Sequence, residues 1–439
     1  FSIRKQKMSA DHIYLDLQTC NNDQTGSAPK QTLVFNEQRQ NPLIANPTDY
    51  YLSCVRFNLD TALTLPLFQP VLLIDGINTD PNKLAYCVTI SKPVGGLITD
   101  SKTVYVQWRA EDATAALPNN KLGAGGVITA QDYGTGYYNG YSVRWFLNLV
   151  NEALLAAWAL IYPANPDLAP NFVVDPLTAM FTLLTPFIDF PDGRQVSCNF
   201  SYSENAATGI GPAPLYTKTP IYLGVGSTTP VAYNLWFNET LYNLFCGQLA
   251  VYYGNSLIPA NFDIPPPNLY AFNYLILPIN YRMLNRIIVN SVQWVQSTSE
   301  MSSVPLWNCC QSIAFNTTTI PIAMSNSTVP TVYNNSPYDQ TIRQSGNNSQ
   351  FSAMLSDIAV GLTSGLEQRP TVDYLPSSEY RMTDLLSNMP ISQISFNVSW
   401  KNKFGALVPF RLCAQGGAAM KLLFRRKRFN VGNLPPYDS

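Results

Sequence analysis

The chain has 439 residues, 27 Lys and Arg against 28 Asp and Glu, and a formal net charge of −1; charged residues make up 13% of it, about half the usual share of a soluble domain. Near-neutrality excludes a protein that coats nucleic acid over its whole surface, because that affinity comes from many Lys/Arg–phosphate contacts, so any such contact must be local. The length exceeds the roughly 250–300 residues at which one core stops growing, so two cores, or one with large insertions, are expected.

The N-terminal "FSIRKQKMSADHIYLDL" has a basic start but no apolar run of a secretory signal; Met8 reads as a native start and residues 1–7 as an upstream extension or processed segment. Short strands are expected at 12–18, 49–59 and 83–91. In "KTVYVQWR", Val104, Val106 and Trp108 alternate with Thr103, Tyr105 and Gln107, the pattern of a strand with one buried face. Residues 110–140, rich in Gly, Ala and Asn, read as a loop. In "SVRWFLNLVNEALLAAWALIYP", Val143, Phe146, Leu147, Val150, Leu154, Ala157 and Ile161 fall on one helical stripe, with Ser142 as N-cap and Pro163 as stop. Arg144, Asn148, Asn151 and Glu152 exclude a membrane span there, and no run elsewhere reaches the ~18 apolar residues that one needs.

Further strands are expected at 171–184, 194–202, 270–278 and 287–296, a short helix at 239–245, and a loop at 203–220. The polar stretch 320–350 reads as an exposed loop or an inter-subunit arm, since a structureless loop that long is unusual inside a compact domain. "ISFNVSW" alternates Ile394, Phe396, Val398 and Trp400 with Ser395, Asn397 and Ser399, and runs through "KNKFG" into "ALVPFRL" as a hairpin turning near Gly405. A last strand covers 418–425. Together these describe an all-β protein of jelly-roll sandwich type, with large loop insertions and one prominent amphipathic helix.

The residues offer little chemistry. His12 is the only histidine, which rules out His-rich metal sites and H-E-x-x-H. No nucleophile elbow or phosphate-binding loop occurs, and "GTGYYNG" has Asn139 where a dinucleotide fingerprint needs its third glycine. No enzyme, metal or cofactor is indicated. The eight cysteines are scattered without C-x-x-C; Cys54, Cys87 and Cys198 sit in apolar runs as small hydrophobes, which favours synthesis in a reducing compartment. Seven N-x-[ST] sequons (Asn199, Asn238, Asn316, Asn326, Asn334, Asn347, Asn397) point the other way, although composition alone supplies several in a chain this rich in Asn, Ser and Thr. The remaining bulk, with 25 Tyr and 33 Pro, suits burial against other protein copies, because interface cores are poor in charge and rich in Tyr.

One ordered series of segments carries a family resemblance: "ADHIYLDL", "NPTDYYLSCVRFNLDT", "YYNGYSVRWFLNLVNEALLAAW", "LWFNETLYNLF", "YLPSSEYRMTDLLSNMPISQISFNVSWKNKFGALVPF" and "MKLLFRRKRF". The series resembles the minor capsid or penton proteins of small icosahedral DNA viruses, of the polinton-like virus and virophage type, and covers nearly the whole chain. The resemblance implies a capsid subunit of the virion that assembles with itself, as a pentamer at icosahedral vertices, and with other capsid proteins. Two alternatives stand beside it: a trimeric double-jelly-roll major capsid protein, and a secreted β-sandwich that binds glycans. The expected division is a jelly-roll region at 1–319 with a helical insertion near 142–162, the arm at 320–350, and C-terminal strands with a basic tail at 351–439.

That tail is the one candidate site. "KLLFRRKRF" puts Lys421, Arg425, Arg426, Lys427 and Arg428 within nine positions. The segment starts as a strand, then carries cations on both faces, so it is expected to leave the sheet because four adjacent charges cannot be buried unpaired. Two readings remain: a solvated sheet edge that charges keep from pairing with other strands, or a tail facing the capsid interior and touching packaged DNA non-specifically.

Overall fold

The computed structural model describes residues 11–26, 30–61, 63–94, 97–164, 166–187, 234–248, 292–327, 350–360, 371–375, 382–402 and 407–427, with short strand segments at 196–197, 202–203, 215–216, 222–223, 252–253, 272–275, 285–289, 332–333 and 342–343. Eight of its strands form a sandwich: His12–Cys20, Val34–Gln38, Tyr50–Asp60, Cys310–Thr317, Met354–Ala359, Thr371–Tyr374, Gln393–Asn402 and Gly417–Arg426. Counted in that order, the first, eighth, third and sixth lie side by side in one sheet, and the second, seventh, fourth and fifth in the other. All these pairs are antiparallel. First with eighth, second with seventh, third with sixth and fourth with fifth is the nested order of a jelly roll.

Alternation builds the core between the two sheets. Leu15, Leu17, Phe57, Leu59, Met420, Leu422 and Phe424 face inward from one, and Phe35, Ile313, Phe315, Ile394, Phe396, Val398 and Trp400 from the other. Phe57 and Phe315 meet edge to face at 4.5 Å. The hairpin after "ISFNVSW" forms, with Trp400 opposite Val408 and Lys401 opposite Leu407; Gly405 lies outside the described residues.

A second core is strung between the third and fourth sandwich strands. Its hydrophobic residues run from Leu67 to Trp307, whereas the sandwich core takes its residues from Leu15–Leu65 and Cys309–Phe424. The cores therefore follow a nested division rather than the consecutive cuts at 319 and 350. Within the insertion, the hairpin Lys83–Val94 and Leu97–Gln107 is extended by Asn234–Asn238, Phe272–Leu275 and Tyr252–Tyr253. The helix Val143–Ile161 packs on this sheet, with Val143, Phe146, Leu147, Val150, Leu154, Ala157 and Ile161 all buried. Ser142 caps it, its Oγ accepting from Trp145 N at 3.4 Å. Aromatic rings fill the space below: Phe146 lies 4.5 Å from Phe68 and 5.5 Å from Trp307, which stacks on Phe181 at 5.2 Å.

Several expected elements differ. The single strand at 171–184 is two, Asn171–Val174 and Phe181–Phe187. Asp175 makes the turn between them: its carboxylate accepts from Leu177 N and the Thr178 hydroxyl, and Ala179 takes φ 55°. The strand at 287–296 is likewise a pair, Asn285–Val289 and Val292–Thr298. The 110–140 stretch is irregular apart from the short pair Lys121–Leu122 and Ile128–Ala130 and the 3-10 turn Ala124–Gly126, but it is not a loose loop, because Ile128 and Tyr138 are fully buried in it. The 320–350 stretch is not exposed at its start: Ile320 and Ile322 belong to the sandwich core, and Ile322 bridges Leu385. Beyond them the backbone folds back on itself, Ser325–Ser327 pairing with Gln350–Ser352 and Val332–Tyr333 with Ile342–Arg343. The expected strands at 194–202 and 270–278 and the loop at 203–220 lie largely outside the described residues.

Candidate interface at the end of the C-terminal strand

The eighth sandwich strand, Gly417–Arg426, lies between the first and third strands, so it is central in its sheet. The edge-protection reading of its cations is therefore overturned. The chain also does not leave the sheet at Arg425: Arg425 pairs with His12 and Tyr51, Arg426 with Tyr50, and the ladder ends only where Arg426 N donates to Asp11 O at 2.8 Å and Lys427 N to Asp49 O at 2.7 Å. The physical reason is position. Arg425 and Arg426 stand at the open end of the sandwich, where side chains on both faces reach water while the backbone stays paired; both are exposed.

The five cations are not equivalent. Lys421 sits in a cross-strand row on the outer face, Asp16–Lys421–Arg56. Its ammonium is 3.4 Å from Asp16, which Arg56 also approaches at 3.6 Å, and 5.5 Å from the ring centroid of Tyr14. Lys427 is held 2.6 Å from Asp384 and lies 4.9 Å from the Tyr51 ring. Among the described residues neither Arg425 nor Arg426 has an ion-pair partner. Arg428 lies outside the described residues. The strand end is thus less cationic than its sequence, because Asp384 pairs with Lys427 and Asp16 with Lys421.

Sequence reasoning missed Arg56 and Asp16, which reach Lys421 only through strand pairing. No local signal marks them, since the third strand is far away in sequence and its register is set by a bulge at Val55, where Lys421 opposes Arg56 and Leu422 opposes Cys54. Elsewhere, no group of three His, Cys, Asp or Glu is placed to hold a metal among the described residues, and no helix among them is long and apolar enough to cross a membrane. What this strand end can offer is two free guanidiniums at the rim of a rigid sheet, a geometry for binding oxyanions by charge-assisted hydrogen bonds.

Comparison with known proteins bears on the whole chain. Residues 13–426 match the family described as "Sputnik minor capsid protein V18/19". "Uncharacterized protein V18" of Sputnik virophage is 32% identical over 143 residues, which cover 32% of this chain and 78% of that protein. A chain from "The 3.5 A resolution structure of the Sputnik virophage by cryo-EM" superposes with a TM-score of 0.63 at 19% identity, covering 95% of this chain and 99% of that one. The crystal structure of the mavirus penton protein superposes with a TM-score of 0.52 at 13% identity, covering 95% of this chain and 100% of that one.

Proposed function

The chain belongs to the Sputnik minor capsid protein V18/19 family, and from that premise we propose that it is a penton, a structural subunit of the virion that assembles into pentamers at the vertices of an icosahedral capsid. The observation that carries this reading is the extent of the family match, which spans both cores from residue 13 to residue 426. The role is structural rather than catalytic. A closed ring needs two different patches per copy, and a chain with only 13% charged residues has neutral polar area that can be buried against neighbours. A trimeric double-jelly-roll subunit is disfavoured because the second core is organised around the helix Val143–Ile161. A secreted glycan binder is disfavoured by the free thiols among the described cysteines and by Asn238, a sequon residue that is fully buried. Those thiols also support synthesis in a reducing compartment. Mass photometry and electron microscopy of the purified chain test the reading: five-fold rings are expected, and a stable trimer would sink it.

The basic strand end faces the capsid interior in this reading, with Arg425 and Arg426 directed to packaged DNA while Lys421 and Lys427 are engaged by Asp16 and Asp384. Arg425→Gln with Arg426→Gln should leave fold and ring intact. It should weaken DNA binding at low salt and flatten the salt slope by about 0.9 for each phosphate that is no longer neutralised. An affinity and slope equal to those of the parent ring would remove DNA from the account and leave the penton assignment standing.

A further inference from the structure

The two cores are joined by two crossing segments and by polar contacts beside them. The chain crosses it outward at Leu65–Leu67 and back at Trp307–Cys309, and these crossings lie against each other: Cys309 N donates to Leu67 O at 3.3 Å and Cys309 Sγ to Pro66 O at 3.2 Å. To one side, two cations of the sandwich reach the insertion. Lys30 pairs with Asp112 at 3.0 Å, both side chains largely buried (14% and 13% exposed), donates to the Leu63 carbonyl and lies 4.0 Å from the Tyr141 ring centroid. Arg411 donates from Nη1 to Thr135 O at 2.9 Å and from Nη2 to Gly134 O at 3.1 Å. Asp112 also accepts from Thr114 N at 2.9 Å and the Thr114 hydroxyl at 2.7 Å. Burial alone would raise its carboxyl, but the Thr114 hydroxyl and Lys30 outweigh that and hold it below the usual range, so Asp112 is a carboxylate at neutral pH. Between these contacts is a cavity of about 220 Å³, with Thr64, Trp400 and Pro409 on the sandwich side and Asn139 on the other.

The cavity opens to solvent, and relative motion of two bodies in one chain is the default unless their interface is large and hydrophobic. We propose that the insertion is a hinged head: it pivots on the paired crossing segments, and the Lys30–Asp112 pair, with the Arg411 clamp on Thr135 and Gly134, is the latch that holds it closed over the cavity. The sandwich then keeps a fixed seat in an assembly while the head adjusts to what lies beside it. Breaking one partner of a buried pair is expensive, so the closed state is the resting one and opening requires both contacts to go together.

Pulsed electron resonance distances test this on the full chain. Spin labels go on ketone-bearing residues at Tyr14 of the sandwich and Leu177 of the head, both exposed, with labelled subunits diluted into unlabelled ones. One narrow distance is expected in the parent. Asp112→Asn with Arg411→Met should add a second, displaced population and lower the melting temperature, because Lys30 loses its partner, while near-ultraviolet circular dichroism stays close to the parent's. Lys30→Arg alone, which preserves the pair, should remain narrow. A single unchanged distance in the double variant overturns the latch, as does a parent that is already broad. If the double variant loses its tertiary signal, the junction is part of a common core and the hinge is wrong.

Discussion

Asn238 stands in the tripeptide N-E-T, which sequence alone offers as a glycan acceptor, yet its side chain is inaccessible and fully used. Its oxygen accepts from Cys87 N at 3.1 Å and Leu241 N at 3.2 Å, and its amide donates to Ala85 O at 2.6 Å, so it caps the helix Glu239–Leu244 and ties it to the strand Lys83–Val94. Asn238→Ala strands two N–H groups and a carbonyl in a dry core. A loss of about 2–4 kcal/mol in denaturant unfolding is expected, and a loss near zero would show that water replaces the amide. Buried thiols make a second test at this scale. Burial pushes Cys54 and Cys310 up to about 12, so the folded protein holds these protons after the unfolded chain has released them. Their contribution is complete below the unfolded thiol value of about 8.5 and is lost as pH rises from there toward the folded value. Unfolding midpoints should therefore fall between pH 8 and pH 10 by roughly these groups' linkage, and the fall should be shallower in the Cys54→Ala, Cys310→Ala variant. Identical pH profiles would assign the loss to other groups.

At the scale of elements, what could be read from sequence was periodicity. The stripe on 142–162 is buried residue for residue, and Phe146 and Leu154 are wholly inaccessible in the insertion core. Phe146→Ala or Leu154→Ala is expected to cost on the order of 2–5 kcal/mol; unchanged stability with lost assembly would mean that the stripe serves a neighbouring subunit instead. "ISFNVSW" was equally legible, since Ile394, Phe396, Val398 and Trp400 are all buried and Asn397 is exposed. Turns inside apolar stretches were not: 171–184 reads as one strand on its apolar run, although Asp175-Pro176 is a turn signal, and Asp175 caps the turn with its own carboxylate. The C-terminal strand misled for a different reason. Cations on both faces argue against a sheet interior, but at the end of a sandwich the backbone pairs while Arg425 and Arg426 stay wet. The 320–350 segment combines both cases. Its first residues, Ile320 and Ile322, are core, while further on Ser325–Ser327 pairs with Gln350–Ser352 and Val332–Tyr333 with Ile342–Arg343. Replacing 328–349 by a short Gly-Ser linker is expected to leave the melting temperature within a few degrees of the parent's, whereas Ile322→Ala should lower it clearly; global unfolding of the linker variant would make the arm part of the fold.

For the whole molecule, pairing order was out of reach of sequence. His12 opposes Arg425 and Gln38 opposes Gln393, contacts between chain ends that no local pattern encodes. The nested order nonetheless has a consequence that can be measured. A jelly roll interrupted once, between its third and fourth strands, still has every sandwich strand and every inter-strand partner outside the insertion. Its two cut ends lie side by side, because Cys309 N bonds Leu67 O, so a short connection suffices and closing it costs little chain entropy. Replacing residues 68–308 by a few glycines is therefore expected to give a folded sandwich that melts cooperatively and keeps slow hydrogen exchange in Gly417–Arg426, the strand held on both sides. Its stability should be lower than that of the full chain, since Lys30 and Arg411 lose Asp112 and the carbonyls of Thr135 and Gly134. Lys30→Met and Arg411→Met should recover little of the loss, because with the insertion gone both cations stand in water. If the shortened chain shows no protected strand even with both substitutions, the sandwich depends on the insertion to fold, and the two cores are one cooperative body.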